Sequence, residues 1–215
     1  MTALTQPIRI VFNTREPGYR IKTWFAYVAV FTLFAGDAVR YSIGWWGWGA
    51  LLAVIATGTF TLFFRSKKAG LEGPKIWLTR VPASLYLLLG WMLTSAIWSA
   101  YRPFTLLAVV SQLATTLFGI FLAAMFSWRH LLRIFTNVIR AILGASLVFE
   151  LAAAITGPIA PIFGNYSGPK PPAPEYYWSR GHLFDGERIQ GIVGNSNLLA
   201  YVCMIGLVVF AVEYA

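Results

Sequence analysis

Residues Pro103–Phe126 read PFTLLAVVSQLATTLFGIFLAAMF, 24 positions without one Asp, Glu, Lys, Arg or His. A helix of that length extends about 36 Å, enough to cross a hydrocarbon core of ~30 Å. Lipid offers no partner to open backbone groups, so such a segment has to be helical. Working outward, the same reading applies to Trp24–Val39, Trp46–Phe64, Val81–Ser99, Phe135–Thr156 and Leu198–Ala215. The expected fold class is therefore all-α, a polytopic transmembrane helix bundle of about six membrane-spanning helices. Residues 1–23 form a basic tail, 24–156 carry the first five spans, 157–197 form a loop and 198–215 the sixth span.

Composition agrees. Charged residues make up 12% of the 215 positions and hydrophobic ones 58%, whereas a soluble domain carries about 25% charged residues. This excludes an ordinary soluble enzyme, a disordered chain and a nucleic-acid module with its basic patch on a polar surface. The single cysteine, Cys203, lies in an apolar run and reads as a small packing residue. With one Cys and two His there is no metal-ligand spacing, so neither an internal disulfide nor a structural zinc site is expected.

The punctuation fits a membrane bundle. Pro82 and Pro103 stand at the first turns of their spans, where a missing N–H is harmless. Trp45, Trp46, Trp48, Trp98, Tyr101, Trp128 and the run Tyr176–Trp178 collect at the expected interfaces. The long polar leader before Trp24 and the lack of a small-residue cleavage site mark the first span as an uncleaved anchor. Of the 17 Lys and Arg residues, 12 fall in the amino-terminal tail, the second-to-third loop and the fourth-to-fifth connection, against 5 on the other side. Lys and Arg are retained in the cytoplasm, so the amino terminus is expected there. The net charge of +9 is then a topology signal with some attraction to anionic lipid, and calls for no nucleic acid.

The longest polar segment is Gly157–Asn197. Its Pro- and Gly-rich first part predicts irregular structure and includes a chance glycosylation sequon at Asn165–Ser167. Its second part gathers Glu175, Arg180, His182, Asp185, Glu187 and Arg188. Arg188 then leads through Gly191 and Gly194 to Asn195, Ser196 and Asn197, good caps for the sixth helix. A helix tip facing outward, glycines that permit close backbone approach, and an Arg one turn upstream suit a phosphate. A lipid-facing Arg with an ordinary cap is the alternative. His182 suits either a base near neutral pH or a loop hydrogen bond. Glu150, inside the fifth span, has to face the bundle or a wet cleft. It fits an acceptor pocket, a base, or a structural hydrogen bond between helices. Asp37 and Arg40 are spaced for a local pair, while Asn137 and Arg140 are expected to snorkel at the cytoplasmic side.

Two stretches carry a family resemblance. Arg188–Ala200 (RIQGIVGNSNLLA) resembles the signature of bacterial O-antigen ligases and related polysaccharide polymerases: an Arg, a Gly and an Asn-Pro-Asn followed by small and apolar residues. Leu93–Leu107 (LTSAIWSAYRPFTLL) resembles that family's third-to-fourth span junction. Ser196 stands where the family has Pro. The resemblance implies transfer of a glycan from an undecaprenyl-diphosphate carrier to a lipid or glycan acceptor at the outer face of the bacterial cytoplasmic membrane, without nucleotide sugar, cofactor or metal. It implies that Arg188 holds the diphosphate leaving group. Arg180 is a second candidate for that group, with Gly191, Gly194, Asn195 and Asn197 around it; Glu150 and His182 are candidates for the acceptor chemistry. Family members have more spans, so the chain is expected to form the amino-terminal part of a larger bundle. Two further readings stay open: a transporter or flippase-like protein, and a non-catalytic partner in a glycan assembly complex.

Overall fold

The computed structural model describes residues 18–65, 81–164, 168 and 172–214. The basic residues of the tail before Gly18, those of the 66–80 loop, the sequon at Asn165–Ser167 and Lys170 lie outside them. Six helices follow in order: α1 (Tyr19–Phe34), α2 (Gly36–Arg65), α3 (Ala83–Ser95), α4 (Arg102–Met125), α5 (Trp128–Thr156) and α6 (Ser196–Tyr214). The expected all-α transmembrane bundle is the architecture found. Helices α2, α4, α5 and α6 are each long and apolar enough to cross a membrane. Helix α1 has 16 residues and α3 has 13. Among the described residues the only β pairing is an isolated bridge between Ile159 and Ser179.

The first two spans are divided differently from the expectation. Helix α1 stops at Phe34, and the segment from Gly36 joins α2 instead. Helix α2 itself breaks at Gly44, where φ is +74° and ψ 177°. Only glycine adopts that backbone without strain. A break strands carbonyls that the next turn would have used. One of them, the Tyr41 carbonyl, accepts from the N–H of Phe163 in the 157–195 loop at 3.1 Å. The loop thus completes the broken end of α2.

The helices pack in the order α3, α4, α2, α1, α5, α6. Helix α1 buries Ala26, Ala29 and Val30 completely, one face of small residues. Small side chains let helix backbones approach closely where lipid supplies no hydrophobic drive. Helix α5 answers with a stripe at every fourth residue: Ile134, Val138, Ile142, Ser146 and Glu150 are all buried. The stripe is apolar along most of its length and polar at its loop end. Gly206 of α6 lies so close that a Cβ there would sit 3.1 Å from Ile139 Cγ2.

Polar ties replace two expected snorkelling side chains. Asn137 donates to Tyr27 Oη at 3.0 Å. Arg140 bonds Glu213 Oε2 of α6 at 2.7 Å. Each finds a partner on a neighbouring helix. The Asp37–Arg40 pair forms as expected, with Arg40 Nε and Nη2 each 2.9 Å from Asp37 Oδ1. Cys203, expected in the packing, is instead on the exposed face of α6.

Candidate functional site at the loop end of α5 and α6

The polar end of the α5 stripe governs the loop. Ser146 and Glu150 are four residues apart and share a helix face. Glu150, 1% exposed, accepts three hydrogen bonds. Its Oε1 takes the N–H of Gln190 at 3.0 Å and that of Gly191 at 2.6 Å. Its Oε2 takes the hydroxyl of Ser179 at 3.0 Å. One turn lower, Ser146 Oγ takes the N–H of Ile192 at 3.2 Å. Three successive amides of the Arg188–Asn197 segment are therefore fastened to one face of α5. A carboxylate offers acceptors at both oxygens and no donor, which suits three converging donors. Such bonds to a charged group each contribute about 1.5–3 kcal/mol.

The rest of the loop is tied to the same anchor. Gln190 Oε1 accepts the N–H of Arg180 at 3.0 Å, and Ser179 Oγ accepts that of Gly181 at 3.2 Å. Trp178, 7% exposed, donates from Nε1 to the Ile192 carbonyl at 2.8 Å. Its ring packs on Phe149 and Tyr41, with centroids 4.9 and 5.3 Å away. Ile159 exchanges backbone bonds with Trp178 and Ser179. A segment that composition reads as irregular is thus held by a defined set of bonds.

Gly191 has φ +59°, and a Cβ there would lie 2.6 Å from Ser146 Oγ. A Cβ on Gly194, at φ +66°, would lie 2.5 Å from Tyr41 Cε2. The close approach these glycines permit is to the protein itself. Their amides are also committed: Gly191 to Glu150, and Gly194 to the Gly191 carbonyl at 3.2 Å. Asn195 caps α6 as expected, its Oδ1 taking the N–H groups of Asn197 and Leu198 at 2.8 and 3.3 Å. The cap uses donors that an anion would otherwise meet, leaving the helix dipole.

What the rim offers a ligand is therefore side chains. Arg188 is exposed and has no hydrogen bond or ion pair to any described residue. Asn197 is exposed on the first turn of α6. Arg180 is half-buried, with Nε donating to the Pro174 carbonyl at 3.1 Å. His182 sits between two carboxylates: Nδ1 is 3.1 Å from Asp185 Oδ2 and Nε2 is 3.4 Å from Glu187 Oε2. Of the candidate residues, Glu150, Gly191, Gly194 and Asn195 build the platform, while Arg188, Arg180, His182 and Asn197 stand on it. No three His, Cys, Asp or Glu side chains among the described residues come together as a metal site.

Sequence reasoning missed Ser146, Ser179 and Gln190, and it read Trp178 as an interfacial ring where the structure buries it in the loop anchor. The Ser146–Glu150 spacing inside an apolar span was a legible signal for a shared polar face. The partners from the loop had none, because their pairing joins positions 14 to 40 residues apart. The stretch Leu93–Leu107 forms the α3–α4 corner, closed by a Ser99–Thr105 hydroxyl contact of 2.7 Å and by Arg102 Nη2 donating to the Ile97 carbonyl at 3.2 Å. Helices α3 and α6 stand at opposite ends of the packing order. No family model matches the chain, and no curated protein or solved structure matches it either.

Proposed function

We propose that this membrane protein transfers a glycan from an undecaprenyl-diphosphate carrier to a lipid or glycan acceptor, in the manner of the O-antigen ligases and polymerases its sequence resembles. It acts in the bacterial cytoplasmic membrane, with the amino terminus in the cytoplasm and the 157–195 loop outside. One observation carries the reading: Arg188 is an exposed guanidinium without a described partner, on a backbone whose next amides are fixed to α5 by Glu150 and Ser146.

The chemistry follows from that placement. The bond between the anomeric carbon and the diphosphate oxygen breaks, and negative charge grows on the departing undecaprenyl diphosphate. A guanidinium carried next to an anchored backbone grips that charge more strongly as it develops, which lowers the barrier. Arg180 and Asn197 add donors at the same rim. The acceptor hydroxyl attacks the anomeric carbon and gives up its proton; His182, with Asp185 at Nδ1, is the candidate to take it. Glu150 acts as a positioning residue, through the backbone of Gln190 and Gly191.

The test is an in-membrane transfer assay of the complete protein carrying Arg188→Ala or Arg188→Lys. Loss of one charge-assisted contact of ~1.5–3 kcal/mol lowers turnover about tenfold to a hundredfold. Lys retains part of the rate, because it keeps the charge without the fork. Thermal stability should not change, since Arg188 supports no described contact. Full turnover in both variants removes the phosphate role from this residue.

A further inference from the structure

A second site lies where the broken end of α2 meets the loop. A cleft of about 370 Å³ opens there, lined by Arg40, Tyr41, Trp45, Phe163, Glu175 and Tyr176 among others. The Arg40 guanidinium is 4.5 Å from the Tyr41 ring centroid and 4.6 Å from that of Trp45. Its bonds to Asp37 hold it there. Tyr176 is fixed from the other side, its hydroxyl donating to the Gly164 carbonyl at 2.8 Å. Trp45 is 65% exposed and Glu175 is exposed as well. The cleft thus combines accessible aromatic faces with one guanidinium and one carboxylate.

We propose that this cleft binds an uncharged saccharide ring. Sugar hydroxyls donate to a carboxylate and accept from a guanidinium, so Glu175 and Arg40 together address a polyhydroxyl edge. The C–H face of a pyranose covers the ring of Trp45, an apolar body with a fixed shape. Charge selects against the obvious competitor, a phosphate headgroup. Asp37 neutralises Arg40, so among the described residues that line the cleft the remaining charge is that of Glu175, which disfavours anions. The position also connects with the rim. Tyr41 lines the cleft, packs on Trp178 and closes on Gly194 in the turn before α6. The sugar units of a glycan held at Arg188 would then be the ligands of this cleft. That last link rests on the proposed function; saccharide binding itself does not.

The experiment uses the full chain in phosphatidylcholine nanodiscs and saturation-transfer NMR. The probes are unphosphorylated di- and trisaccharides of N-acetylglucosamine, galactose and rhamnose, with glycerol 1-phosphate as the headgroup surrogate. At least one saccharide should bind, with its ring C–H protons receiving most saturation. Trp45→Ala and Glu175→Gln should each weaken it about tenfold. Both side chains are at the surface, so the fold does not depend on them. Arg188→Ala should bind the saccharide as the parent does. That arm separates the two readings: an unaltered transfer rate in Arg188→Ala defeats the phosphate role and leaves the cleft standing. The cleft proposal is overturned if no saccharide binds, or if both cleft variants bind like the parent. Binding of glycerol 1-phosphate alone, lost in Trp45→Ala, overturns it too and assigns the cleft to a lipid headgroup.

Discussion

Replacing Glu150 by Ala tests the central structural claim, that a single buried carboxylate fastens the rim to the bundle. The variant strands the amides of Gln190 and Gly191 and the hydroxyl of Ser179, whose acceptor it removes. Each of the three buried donors left unpaired costs about 1–3 kcal/mol, which gives roughly 3–9 kcal/mol before the loop relaxes. Glu150→Gln keeps an acceptor for both amides, and its new NH₂ group can donate to Ser179. It loses the charge assistance, about 1–2 kcal/mol, and the acceptor of the Ser179 hydroxyl. Amide hydrogen exchange, read residue by residue in nanodiscs, resolves the effect. In Glu150→Ala the amides of residues 190 and 191 should exchange at least about a hundredfold faster, the equivalent of ~3 kcal/mol. In Ser146→Ala the acceleration should centre on Ile192, whose amide bonds Ser146. Amides in the middle of α4 should not respond in either. Unchanged protection at 190 and 191 in Glu150→Ala would refute the reasoning, and so would equal acceleration throughout the bundle.

Other outcomes follow from the same contacts. Gly191→Ala should destabilise by at least about 2 kcal/mol, from the left-handed backbone and the collision with Ser146; Gly186→Ala, at φ +74° in open space, should cost only about 1–2 kcal/mol in a parallel thermal melt. Arg140→Glu places like charges together between α5 and α6 and should lower the melting temperature, and adding Glu213→Arg should restore it. Phe184→Cys, at a loop position 75% exposed, should react with a membrane-impermeant maleimide in intact cells; reaction only after lysis would reverse the proposed orientation.

Fold class was legible in the order of the residues. Runs such as Pro103–Phe126 contain nothing that water could stabilise as a surface, and lipid permits only helices there. That order also determined the α6 cap at Asn195 and the Asp37–Arg40 pair, because both are local interactions within one turn. Sequence reading misjudged the boundary between the first two spans. A glycine break at Gly44 looks unremarkable in a Gly- and Trp-rich stretch, until Phe163 from a distant loop supplies the hydrogen bond that completes it. The tertiary structure alone decided which rim groups are spent and which are open. Gly191 and Gly194 read equally well as ligand donors or as turn formers. Only the approach of Glu150, Ser146 and Tyr41 across the bundle commits them to the platform. Glu150 shows the same division: an ionisable group in a span announces that it needs partners, but the partners lie about 30 to 40 residues away, and chain geometry brings them together only after α5 and α6 have packed.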